Sequence, residues 1–481
     1  MSLEKQGESR FKEFKTKFLE QLQWAPGRDQ EQLIESLGEF MLSQALNPCL
    51  IVQGYAGTGK TSILSAFVKL LKAERVRTKL LAPTGRAAKV FSRFSGQEAV
   101  TIHKQIYRRK SRADLSSPLS LQPNLFKNTV FIVDEASMIG DYTMGADGSV
   151  NARNLLKDLV EYVFSGENCR LILVGDVGQL PPVGSDHSPA LNPDYIHNYF
   201  PAIKPGYRSL KEVMRQSDGS GVLHNATLLR NTIGNDYPKL NIIGFNDIVR
   251  INGSELQETI ESCYDQEGQE ETIIVTRSNK RANAYNQQIR GRILWFEGEL
   301  SVGDMLMVVK NNYFWIGEDS RLGFIANGEI VEVSRILKYE EFYGFRFAKV
   351  MVSFVDYDGI DEMEVIIHLE GLIVESTSLS GGRMRELFFE VEKDYFHITN
   401  KKKRYEAILG NAYFNALQVK YAYAVTCHKS QGGQWANVLV DTGYINEDML
   451  GPEFYRWLYT ALTRSTSKVY LVNFSDQYFD S

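Results

Sequence analysis

The chain reads as an α/β protein with two parallel-sheet units and a β-rich insertion in the second. Three observations predict this. Short apolar runs, Cys49–Val52, Lys79–Ala82, Val130–Val133 and Leu171–Val174, alternate with helical stretches and each ends in polar or glycine-rich residues. Such runs are strands of a parallel sheet buried on both faces. A second series follows near Pro205, with Thr272–Val275, Tyr421–Val425, Val438–Val440 and Val469–Val472. Between its first two members, residues 300–410 change texture. There Met305–Val309, Glu329–Val333, Phe347–Val352 and Glu364–Ile367 are joined by glycine-containing turns, the pattern of a small barrel.

Length and composition agree. At 481 residues, two to four domains are expected. The hydrophobic and charged fractions, 43% and 23%, are those of a globular chain able to build cores. No run approaches the roughly 20 apolar residues of a membrane span, and the charged N-terminus argues against a secretory signal. Met1-Ser2-Leu3 reads as a cloning remnant. Cys49, Cys169, Cys263 and Cys427 form no CxxC pair, which suits reduced core residues of a cytoplasmic protein and makes a zinc site unexpected. With 54 basic and 59 acidic residues the net charge is −5, which leaves the partner open because a groove can be locally basic.

The most specific stretch is Gly54-Tyr55-Ala56-Gly57-Thr58-Gly59-Lys60-Thr61, placed between an apolar run and a helical pattern. It fits GxxxxGK[ST] in the strand–turn–helix context that a P-loop requires. Backbone N–H groups of Gly57, Thr58, Gly59, Lys60, Thr61 and Ser62 would converge on phosphate oxygens at a helix N-terminus. Lys60 would reach the β- and γ-phosphates, and the Thr61 hydroxyl would bind Mg²⁺. A glycine-rich loop that merely turns the chain is the weaker reading, and ATP with Mg²⁺ is the expected cofactor pair.

The third run ends in Asp134-Glu135-Ala136-Ser137-Met138. Alone, such a pair is often a solvated turn. After a P-loop it suits Mg²⁺-assisted phosphoryl transfer, with Asp134 on the metal's shell and Glu135 activating water. The fourth run ends in Gly175-Asp176-Val177-Gly178-Gln179-Leu180-Pro181-Pro182, where Gln179 would sense the γ-phosphate on a proline-stiffened loop. Phe11, Phe14, Phe18, Leu19 and Leu22 have helical spacing and read as a packing helix.

Taken in order, GYAGTGKT, APTGRAAK, TIHK, DEASM, GDVGQLPPV, LKEVMRQ, VTCHKSQGGQ and YTALTR resemble the motifs of superfamily 1 DNA helicases, in particular the 5′-to-3′ RecD/Dda-like branch. The likeness runs from about Gln30 to Val472. It implies two RecA-like P-loop motor domains: residues 1–205 with a pin insertion at about 104–128, and residues 206–299 with 411–481, interrupted by an SH3-like insertion at 300–410. By the same resemblance Gln30, or its neighbour Gln32, would read adenine, and Gln179 would couple the γ-phosphate to the DNA track. Arg215 and Arg464 would approach the γ-phosphate from the second domain, where a guanidinium neutralises the charge that gathers in the transition state. Thr84, Arg86, Thr101 and His103 in the first domain, with Thr426, His428, Lys429 and Gln431 in the second, would contact DNA. Those side chains suit phosphates and sugars, so little sequence should be read. For His103 and His428 taken singly, a satisfied core or loop histidine is the stronger reading.

The resemblance further implies a monomeric motor on single-stranded and tailed duplex DNA, with partners from DNA repair or recombination. One departure is the pin. Its middle, Ser116-Ser117-Pro118-Leu119-Ser120-Leu121, offers leucines where Dda-type enzymes carry an aromatic wedge, so Leu119 or Leu121 is the expected wedge. No further cluster of acids and lysine suggests a nuclease. A weakly unwinding translocase, an RNA helicase and a nucleotide-dependent P-loop switch are the competing readings. The switch in GTPase form lacks its base-reading acid, since Asn279-Lys280-Arg281 is followed by Ala282.

Overall fold

The computed structural model describes residues 3–109, 119–141, 154–213, 219–234, 236–316, 324–355, 357, 359–375 and 379–479. In chain order the first unit contains β1 (Cys49–Gly54), β2 (Arg77–Ala82), β3 (Ala99–Thr101), β4 (Tyr107–Arg109), β5 (Leu119–Leu121), β6 (Thr129–Val133), β7 (Arg170–Gly175) and β8 (Gly206–Leu210). Six of these form a sheet in the order β3-β2-β6-β7-β1-β8, with every pairing parallel. Alternation along β1 explains the layers. Leu50 and Val52 join one core with Ile63, Phe67 and Leu71 of helix Lys60–Ala73, while Cys49 and Ile51 join the core on the opposite face. The N-terminal helix Leu3–Glu20 docks through Phe18, whose ring stacks on Phe67 at 6.1 Å.

The second sheet contains β9 (Ile248–Ile251) and β10 (Thr272–Thr276), and the insertion supplies β11 (Met305–Val308), β12 (Ile330–Phe342), β13 (Phe345–Phe354), β14 (Met363–His368) and β15 (Val419–Tyr421). The chain then returns through β16 (Ala424–Thr426), β17 (Trp435–Asp441) and β18 (Ser465–Val472) to complete an all-parallel sheet ordered β16-β10-β17-β18-β9. The insertion strands pair antiparallel in the order β14-β13-β12-β11-β15. A bridge between Ile367 and Leu417 brings the two edges together, so the sheet curls back on itself.

Three differences from the sequence reading concern boundaries. β8, placed by sequence in the second unit, pairs with β1 and finishes the first sheet. Tyr421–Val425, read as one strand, is split at Ala422 and Tyr423: its start pairs with β11 and its end with β10. The third is the hairpin of β4 and β5. Leu121 faces Tyr107 across it and packs partly buried against the first unit's core; residues 110–118 lie outside the described residues.

Candidate nucleotide cleft between the two parallel sheets

A cleft of about 590 Å³ opens where the two parallel sheets face each other. The first sheet offers its carboxyl ends: the P-loop follows β1, Asp134 and Glu135 follow β6, and Asp176 and Gln179 follow β7. The second sheet offers amino ends, since Asp247 precedes β9, Gln434 precedes β17 and Arg464 precedes β18. The two walls of the cleft therefore present opposite ends of their sheets.

The P-loop needs its glycines. Gly57 and Gly59 have φ of +77° and +81°, a left-handed region costly for other residues. A Cβ on Gly59 would also lie 2.3 Å from the Gln30 side-chain nitrogen. Lys60 Nζ donates to the carbonyls of Gly54 (2.5 Å) and Tyr55 (2.9 Å), which holds the ammonium inside the loop. Thr61 and Ser62 open the following helix and line the cleft, while the buried Thr58 hydroxyl donates to Tyr55 O.

Gln30 is buried in the cleft wall, whereas Gln32 is exposed. Its Nε2 donates to Thr58 O at 3.1 Å, and its Oε1 accepts from Gly27 N (3.3 Å) and Trp24 Nε1 (3.4 Å). Its amide thus braces the P-loop from behind and caps its own helix.

Glu135 takes φ +52°, a left-handed conformation that a non-glycine residue adopts at a cost of about 1–3 kcal/mol. Its N–H donates to Asp134 Oδ1 at 2.9 Å. Burial first, and then the charge of Glu135, push the Asp134 carboxyl up to about 7 against the opposing pull of that N–H and of Lys60. Gln179 is buried and its Oε1 meets no partner among the described residues, although it lines the cleft. Such an orphaned acceptor is one that a ligand or water completes.

Arg464 is 4% exposed yet bonds to no carboxylate among the described residues: Nε donates to Thr460 O (3.0 Å), Nη1 to Gly433 O (3.3 Å) and Nη2 to Thr463 Oγ1 (3.2 Å). Neutral acceptors fix the guanidinium and leave its charge uncompensated beside the cleft. Arg215 lies outside the described residues.

Of the expected DNA-contacting residues, Thr84, Arg86 and Gln431 lie where the two units touch. Thr84 caps helix Gly85–Ser95, and Gly432 is packed so closely on it that a Cβ there would lie 3.1 Å from Thr84 Oγ1. Arg86 stacks over Trp435 at 4.1 Å and donates to Gln434 O. Thr101 is buried, capping the turn that carries His103. Burial lowers the imidazoles of both His103 and His428 below the usual range, so each is neutral near pH 7. Lys429 is pushed down to about 8 by burial and then by Lys420. Thr426 precedes the turn Cys427–Ser430 without a side-chain cap bond, and Gln431 is buried, donating to Leu180 O at 2.7 Å.

Sequence reasoning missed Tyr459, which joins both sides of the cleft, and the Asp247 carboxylate, which accepts from Ser220 Oγ and the N–H groups of Gly221 and Val222. Tyr459 lies within the quoted YTALTR string, so a signal was present; Asp247 sits in no motif.

Residues 29–235 match the AAA domain family and residues 421–472 the UvrD-like helicase C-terminal domain. The chain is 27% identical to the ATP-dependent DNA helicase dda of Enterobacteria phage T4, over 59% of this chain and 62% of that protein. It is 29% identical to the ATP-dependent RecD2 DNA helicase of Deinococcus radiodurans, over 33% of this chain and 20% of that protein. It thus spans less than two thirds of either relative. A likeness to the structure of Pif1 helicase from Candida albicans covers 95% of this chain and 97% of that one, at 16% identity and a TM-score of 0.46. With the motifs in order and both parallel sheets in place, the chain is similar to superfamily 1 helicases of the RecD/Dda-like branch.

Proposed function

We propose that this chain is an ATP-dependent DNA helicase that moves 5′ to 3′ along single-stranded DNA and separates duplex ahead of it. One observation carries the reading: the P-loop, Asp134 and Glu135 face Arg464 of the other unit across a single cleft. Hydrolysis assembled from two bodies responds to their separation, and that separation is what moves a strand. The names of the relatives, ATP-dependent DNA helicases both, support the substrate, and the branch supports the polarity.

The site fits its expected ligand. Gly57 and Gly59 hold the left-handed turns of the loop, Gln179 Oε1 has no partner among the described residues, and the Lys60 and Arg464 charges are bonded only to neutral acceptors among the described residues. Thr61 and Asp134 are the oxygen donors that would hold Mg²⁺, which when bound neutralises phosphate oxygens. Glu135 would orient and deprotonate the attacking water, and Arg464 would stabilise charge on the transferred group.

The test is ATP hydrolysis with and without single-stranded DNA, followed by unwinding of duplexes carrying either a 5′ or a 3′ tail. Strong stimulation and unwinding from the 5′ tail are expected. Hydrolysis indifferent to nucleic acid would favour the switch reading, and stimulation by RNA of equal length would widen the substrate class.

A further inference from the structure

Tyr459 stands outside the catalytic set yet touches both parts of the first unit that must respond to nucleotide. It is 2% exposed, on helix Pro452–Leu462 of the second unit. Its hydroxyl donates to Asp176 Oδ2 at 2.6 Å and accepts from the P-loop Ala56 N–H at 2.8 Å. The other Asp176 oxygen accepts from Gly178 N at 2.8 Å. Position 178 admits no side chain without crowding this ring, since a Cβ there would lie 3.1 Å from Tyr459 Cε1. The next residue repeats the arrangement, with Thr460 Oγ1 accepting from Leu180 N at 2.9 Å, while Gln431 donates to Leu180 O. Gln179 is therefore carried on a loop whose two ends, Asp176 and Leu180, are both bonded to the second unit.

We propose that Tyr459 is a positioning residue that couples movement of the second unit to the P-loop and to the Gln179 loop together. The inference rests on the helicase reading and deepens it, since it names how DNA on the second unit is felt at the nucleotide. The physical reason is that one hydroxyl serves a buried carboxylate and a half-buried P-loop amide at once. A shift of its helix must move both or leave both unpaired, and buried unpaired groups are expensive. Coupling of this kind needs two sites biased by one element, and Tyr459 is that element.

The experiment uses the full chain. ATP hydrolysis is followed across ATP concentration, with and without a saturating single-stranded oligonucleotide, for wild type, Tyr459→Phe and Thr460→Val. Tyr459→Phe should lower the ratio of DNA-stimulated to DNA-free kcat by about tenfold while KM for ATP changes by less than about twofold, a coupling loss of ordinary size. Thr460→Val should lower the ratio in the same direction. An unchanged ratio in a stimulated wild-type background overturns the coupling role alone. So does a fall of both rates alike with a lowered Tm, which marks a merely structural residue. If Tyr459→Phe fails to fold, Thr460→Val decides by the same ratio. A wild type that DNA does not stimulate overturns the helicase reading and the coupling with it.

Discussion

Glu135 is held through its backbone N–H, and Arg464 through two carbonyls and a hydroxyl. Glu135 holds a left-handed turn that its N–H bond to Asp134 stabilises. Glu135→Gln keeps the shape and loses the base, so kcat should fall by about 10²- to 10⁴-fold with KM for ATP near that of wild type. Lost nucleotide binding in an equilibrium titration would instead make Glu135 a binding residue. Arg464 is fixed by carbonyls and a hydroxyl, which set its fork without neutralising it. Arg464→Ala should cost about 10³-fold or more in kcat and little in ATP affinity, because the group acts on transition-state charge. Arg464→Lys should recover little, since an ammonium cannot reproduce the planar fork. Should either variant lose mainly affinity, Arg464 is a ground-state clamp.

At the scale of elements, the P-loop shows what is legible in a sequence and the insertion shows what is not. Strand, glycine turn and helix are contiguous, and their conformations follow from local steric rules, so residues 49–73 could be placed from the string alone. Gly59→Ala tests that account: φ of +81° and the Gln30 amide 2.3 Å from the new Cβ should together abolish nucleotide binding and lower Tm. Pairing partners are another matter. Nothing near Gly206 announces that β8 will pair with β1, and nothing at Ala422-Tyr423 announces a change of sheet, because both are decided by strands more than a hundred residues away. The motif showed Tyr459 but not its partners, which lie 403 and 283 residues away. His368, at the end of β14, illustrates an energetic consequence. It is buried against Phe345 and Phe347, with neither ring nitrogen partnered among the described residues, and burial lowers it to about 4. The unfolded chain takes up this proton as pH falls through 6.5, the folded chain only near 4, so stability is lost across that window on acidification. The loss is about 3 kcal/mol at most. Urea midpoints at pH 7.5 and 5 should therefore diverge more for wild type than for His368→Leu; equal divergence would clear His368 of the effect.

Across the whole molecule, the proposed helicase function requires a chain of net charge −5 to hold a polyanion along the seam of its two units. The seam is joined by Arg86 on Trp435 and Thr84 against Gly432, and on the second unit Lys429 lies near Lys420. Burial and the charge of Lys420 hold Lys429 down to about 8, so at pH 9 it is largely neutral when no strand is bound. A phosphate beside it favours the ammonium, and binding at that pH must then take up a proton. Linkage gives the sign: single-strand affinity should decline as pH rises above about 8, with log K falling by at most about one per pH unit for one proton. Ordinary lysines, titrating near 10.4, contribute little to that slope below pH 9. Affinity should fall with salt as well, by about 0.7 in log–log slope for each phosphate neutralised on a single strand. The measurement is fluorescence anisotropy of a labelled oligonucleotide from pH 7 to 9 at fixed ionic strength, for wild type and Lys429→Met. The variant should bind more weakly at pH 7 and show a flat profile, converging on wild type at pH 9. If it keeps the wild-type pH slope, Lys429 does not face the strand, and the basic contacts of the track lie elsewhere along the seam.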